Sequence, residues 1–94
     1  MTETFLVEHY WPGVTEESFR GAVDQVRAAA EELSASGEPI VFAHSTLVLE
    51  DENALCVFTA GSQRVVEEAY ARAGVPFERI VNALELEPTR EGAS

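Results

Sequence analysis

The chain contains no lysine, and its six basic residues, all arginines, face 17 acids for a formal net charge of −11. A surface so poor in cations repels phosphate backbones. Nucleic acid and anionic membranes are therefore excluded as partners, while cations, basic partners and neutral small molecules remain open. Cysteine is almost absent. Cys56 stands alone, so no intrachain disulfide and no iron–sulfur cluster can form. No apolar run approaches the roughly 18–20 residues that a membrane-spanning helix needs. The start, Met1-Thr2-Glu3-Thr4, lacks the basic residues and apolar run of a secretory leader, so the expected location is the cytoplasm.

What is present is ordinary globular material. Of the 94 residues, 46% are hydrophobic and 24% charged, a balance too apolar for a disordered chain. The length suits one domain with one core. We place that domain at residues 1–88 and expect residues 89–94 to form a flexible tail.

Phe5 to Trp11 reads as a strand, rich in aromatic and branched residues and closed by Pro12-Gly13. Thr15 offers a helix N-cap, with Glu16 and Glu17 in the first turn, where the helix dipole favours acids. Phe19, Val23, Val26, Ala30 and Leu33 then recur at helical spacing and form one apolar stripe. A second strand runs from Ile40 to Leu49. The run Glu50-Asp51-Glu52-Asn53 turns the chain in solvent, without the spaced acids and glycine of a calcium loop. Leu55 to Ala60 makes a third strand. Ser62 is positioned to cap a second helix whose apolar face is Val65, Val66, Ala69, Tyr70 and Ala73. Gly74 and Pro76 end that helix, and Ile80 to Leu86 forms a fourth strand. The order predicts an α+β fold: ferredoxin-like βαββαβ, a four-stranded antiparallel sheet with two helices on one face.

One face of such a sheet stays bare. Alternation along each strand assigns its side chains. A carboxylate is disfavoured beneath the helices, so Glu8 and Tyr10 belong to the open face, and Phe5 and Val7 to the core. The open face is then expected to carry Leu6, Tyr10, Phe42, Ile80 and Leu84 beside Glu8, His44 and Asn82. That is more apolar surface than a monomer shows to water. A homodimer packed sheet to sheet, a dimeric α/β-barrel-like assembly, would cover it, with polar groups lining a cavity between subunits.

The metal-ligand candidates are Glu8, His9 and His44. Carboxylate and imidazole suit nickel, zinc or copper, and the excess negative charge favours a divalent cation. No H-x-x-x-H or C-x-x-C spacing supports them. Tyr10 and Asn82 are candidates to line a ligand or cofactor pocket, and Tyr10 with Trp11 to cover its mouth. Cys56, flanked by Leu55 and Val57, reads as a small buried residue. There is no nucleophile elbow, phosphate loop or Ser/His/Asp order, so the motifs favour no covalent chemistry, although Glu8 and His44 could form an acid–base pair.

Three segments together resemble a known family. They are Phe5-Leu6-Val7-Glu8-His9 before Pro12-Gly13, Leu55-Cys56-Val57-Phe58-Thr59-Ala60, and Ala73-Gly74-Val75-Pro76-Phe77-Glu78-Arg79-Ile80. They are similar to motifs of the bacterial domain-of-unknown-function group of small nickel-binding, ferredoxin-like proteins, over about residues 5–88. The resemblance implies a βαββαβ dimer and nickel as the bound metal, without implying an enzyme. Thr59 and Asn82 stand where that family commonly has acids, and His9 where an arginine or similar residue is frequent. The expectation is thus a small cytoplasmic metal-binding protein, nickel-binding or nickel-responsive, working as a homodimer. The alternatives are a dimeric α/β-barrel that binds or transforms a small molecule without a cofactor, and a protein-interaction module with no ligand.

Overall fold

The computed structural model describes residues 1–84. The expected tail, and the end of the expected fourth strand, lie outside the described residues. The elements follow as β1 (Glu3–Tyr10), α1 (Glu16–Ala35), β2 (Ile40–Val48), a 3-10 turn (Leu49–Asp51), β3 (Asn53–Ala60), α2 (Gln63–Ala73) and β4 (Arg79–Ala83). The strands pair antiparallel in the order β2-β3-β1-β4. This is the ferredoxin-like α+β arrangement that the apolar periodicities predict.

Local chemistry accounts for the boundaries. Thr15 caps α1 by accepting from the Ser18 backbone N–H at 3.0 Å, and the Ser18 hydroxyl accepts from the Thr15 N–H at 3.0 Å. Ser62 occupies the N-cap of α2, but its side chain makes no capping bond. Gly74 ends α2 in the left-handed region at φ 70°, which a glycine enters without Cβ strain. The acidic turn does more than solvate itself. Glu52 adopts φ 52°, its carbonyl accepts from the Trp11 N–H at 2.8 Å, and its carboxylate accepts from the Gly13 N–H at 2.8 Å. The acid run thereby ties down the turn between β1 and α1.

The core lies between the helices and one sheet face. Phe19, Val23, Val26, Ala30 and Leu33 of α1, and Val65, Val66, Ala69 and Tyr70 of α2, are all buried there. They meet Phe5 and Val7 of β1 and Phe58 of β3.

The expected open-face placements of Phe42, Ile80 and Asn82 are corrected. Residues directly opposite each other in a sheet share a face. Phe42 pairs with buried Phe58, but the next paired residue of β2, His44, pairs with Val57. Ala43 is the extra residue of a β-bulge, and the bulge reverses the alternation. Phe42 consequently turns toward the helices, 4.9 Å edge-to-face from Phe58 and 5.2 Å beneath the Arg27 guanidinium. His44 stays on the open face. In β4, Ile80 pairs with Val7 and Asn82 with Phe5, so both share the helix-side face. Ile80 is buried, and Asn82 donates to the Glu3 carboxylate at 2.9 Å and the Thr4 carbonyl at 3.0 Å. Leu84 is exposed beyond the end of β4.

Candidate functional site

The registers build the open face row by row. His44, Val57, Leu6 and Val81 form one row across the sheet, and Thr46, Leu55, Glu8 and Arg79 form the next. Val41, Thr59, Thr4 and Ala83 flank them on one side, with Val48, Asn53 and Tyr10 on the other. The face is therefore mixed: about half of it is apolar and mostly branched, and the rest is polar, with threonines, Glu8, Arg79 and His44 among the apolar residues. Its aromatic component is smaller than expected, because Phe42 faces the other way. Tyr10 is 57% exposed at one end.

Glu8 and Arg79 lie opposite each other and form a two-pronged ion pair. Arg79 Nε donates to Oε1 at 2.9 Å and Nη2 to Oε2 at 3.0 Å. The guanidinium holds the Glu8 carboxyl below the usual carboxylate range, and the carboxylate in turn raises the Arg79 pKa. His44 emerges from β2, with β3 between it and β1. Strand spacings of about 4.8 Å and a rise of about 3.4 Å per residue put the Glu8 and His44 backbones about 12 Å apart.

His9 points to the other side of the sheet and is 5% exposed. Its Nδ1 lies 3.2 Å from the Pro76 carbonyl and its Nε2 3.1 Å from the Tyr70 hydroxyl. A carbonyl can only accept, so Nδ1 carries the proton and the hydroxyl donates to Nε2. The Cys56 thiol sits beside the same hydroxyl on the core face. Burial pushes the Cys56 and Tyr70 pKa values up and the His9 pKa down. All three groups are thereby held neutral in one chain of contacts from β3 through α2 to β1. Sequence reasoning missed this cluster. The available signal was the shared face of Val7 and His9 in β1, together with a tyrosine inside the apolar stripe of α2.

The structure thus brings Glu8, His44 and Tyr10 to one face and places His9 and Asn82 on the other. Carboxylate and imidazole are suitable nickel donors, but among the described residues no three of His, Cys, Asp and Glu converge on a point. The donor chemistry fits nickel, whereas the donor count within one subunit does not. Tyr10 and Trp11 border a hollow of about 150 Å³ shared with Pro76 and Phe77. A wider groove of about 470 Å³ runs between α1 and β2 on the helix side. Its arginines, Arg20 and Arg27, are paired with Glu16 and Asp24.

No curated protein matches the chain. Among solved structures, the crystal structure of SCO4226 from Streptomyces coelicolor A3(2) is similar, with a TM-score of 0.75 and 18% identity, covering 89% of this chain and 99% of that one. At that identity the likeness shows the fold alone. The family model for nickel responsive proteins of the SCO4226-like type matches residues 5–82. Those residues contain all three segments that carried the sequence resemblance, and the chain belongs to the SCO4226-like family of nickel responsive proteins.

Proposed function

We propose that the protein binds nickel in the cytoplasm between the open sheet faces of a homodimer, with Glu8 and His44 as ligands drawn from different subunits. The observation that carries this reading is that Glu8 and His44, from different strands, emerge on the same uncovered face. A two-fold axis lying between the sheets, through the midpoint of the line from Glu8 to His44, sets the partner's His44 over Glu8. It sets the partner's Glu8 over His44 at the same time, as an isologous contact requires. Packed sheets lie about 10 Å apart, a gap that a glutamate and a histidine reaching from opposite sides span. The pairing also covers Leu6, Leu55 and Val81, whose half-buried apolar surface favours burial. Tyr10 lines the end of the space enclosed. A cation between the sheets offsets part of the repulsion between two chains of −11 each. No described helix is long and apolar enough to cross a membrane, which accords with the proposed location.

Calorimetric titration of the metal-free protein with nickel, alongside sedimentation, tests the reading. The expected result is a dimer with one nickel per chain, lost in both Glu8→Gln and His44→Ala. A monomer, or no saturable heat at micromolar nickel, or variants that bind like the wild type, refutes it.

A further inference from the structure

We infer that the hollow at the end of β1, walled by Tyr10, Trp11 and Phe77 beside Glu78, binds the alkylated ammonium head of a small molecule. The hollow lies within one subunit and uses neither of the nickel ligands proposed above.

Its walls come from two segments distant in sequence. Trp11 and Pro12 follow β1, and Pro76, Phe77 and Glu78 join α2 to β4. Both segments are fastened without a ligand. The Trp11 N–H donates to the Glu52 carbonyl at 2.8 Å, and the Gly13 N–H to the Glu52 carboxylate at 2.8 Å. On the other side, the Pro76 carbonyl accepts from His9 Nδ1 at 3.2 Å, and the Glu78 N–H donates to the Glu8 carbonyl at 2.7 Å. The Phe77 ring stands edge-to-face with Tyr70, the centroids 5.2 Å apart. Walls held in this way lose little freedom when a ligand arrives.

The lining selects the ligand. Tyr10 and Phe77 are the only exposed aromatic residues among the described residues, and both line the hollow with half-buried Trp11. A ligand that covers these rings takes their apolar surface out of water. Their faces carry negative potential and attract a cation within about 6 Å, tryptophan most strongly. Glu78 supplies a full negative charge in the lining, close enough to be felt at His9. Every described arginine is paired with another acid, so among the described residues none neutralises Glu78. His9, the buried member of the lining, is a neutral ring with both nitrogens engaged. An anion therefore finds no counter-charge here, and a metal ion finds one carboxylate and no open nitrogen. An alkylated ammonium needs only ring faces and a nearby negative charge. The volume of about 150 Å³ suits such a head group, since sites that enclose a drug-sized ligand take roughly 300–1,000 Å³. The net charge of −11 draws cations toward the surface.

Trp11 is the only tryptophan, so its indole N–H proton resonance reports on this hollow. Metal-free protein is titrated with choline and with tetramethylammonium at constant ionic strength. The expected result is a saturable shift of that resonance, with a dissociation constant of about 1–10 mM. The neutral alcohol in which a tert-butyl group replaces the trimethylammonium of choline keeps the shape without the charge, and should bind at least about fivefold more weakly. Glu78→Gln and Tyr10→Leu, both at exposed positions, should each weaken choline binding about three- to fivefold. Glu67→Gln, on α2 outside the lining, should match the wild type. No saturable shift with either cation overturns the inference, as does equal binding of the neutral alcohol or unchanged binding in Glu78→Gln or Tyr10→Leu. Equal weakening in Glu67→Gln and Glu78→Gln overturns it in favour of net charge.

Discussion

Tyr70→Phe isolates the buried polar cluster, because it removes one oxygen and leaves the ring. Tyr70 is 1% exposed. Its ring packs 5.8 Å from Phe58 and 5.2 Å from Phe77, centroid to centroid, and phenylalanine keeps both contacts. The loss falls on His9 Nε2, 3.1 Å from the hydroxyl, and on the Cys56 thiol beside it. With Nδ1 donating to the Pro76 carbonyl, the ring cannot turn over to satisfy Nε2 without orphaning that carbonyl. A buried acceptor left without a donor costs about 1–3 kcal/mol. For a domain of this size each kcal/mol corresponds to about 4–8 °C in Tm, so the expected fall is about 4–24 °C. Urea and thermal unfolding followed by circular dichroism measure it. A double-mutant cycle with His9→Leu gives the sharper test: once both polar partners are gone, the double variant should be destabilised by at least about 1 kcal/mol less than the sum of the singles. A loss below about 0.5 kcal/mol in Tyr70→Phe, or additive singles, would refute the bond as a contributor to the fold.

The same cluster sets a pH dependence. Burial lowers the folded pKa of His9 below its ordinary value of 6.5, so the unfolded chain binds more protons as pH falls. The stabilisation is complete above about 6.5 and is lost as pH falls from there toward the folded value, at no more than about 1.4 kcal/mol per pH unit for one proton. Unfolding free energies of the wild type minus those of His9→Gln, compared between pH 7.5 and 5, should show that slope, and a flat difference contradicts the neutral assignment. Gly74→Ala forces a Cβ into φ 70° and should cost about 1–2 kcal/mol in urea unfolding. A neutral outcome there would mean that α2 ends in another conformation.

The helices were legible because each carries its own information. The stripe from Phe19 to Leu33 and the run from Val65 to Tyr70 name their buried faces without reference to the rest of the chain. Thr15 and Gly74 mark ends through local backbone chemistry. Strands are different, since a period of two loses its phase at any inserted residue. Ala43 is that residue in β2. Before it, alternation assigns Phe42 and His44 to one face; across the bulge they part, the aromatic ring into the core and the imidazole to the open side. The β4 phase failed for a related reason: only pairing with Val7 shows that Ile80 faces inward, and no residue inside β4 reports it. His9 is the opposite case. Alternation from Phe5 and Val7 already aimed it beneath the helices, yet its chemistry alone suggested a ligand. In this chain two imidazoles of equal intrinsic chemistry have opposite placements. His9 is closed into the core by a tyrosine 61 residues away, whereas a one-residue bulge leaves His44 facing outward. Placement separates the two, so a metal reading here must be argued from the face of the sheet and the partner that covers it.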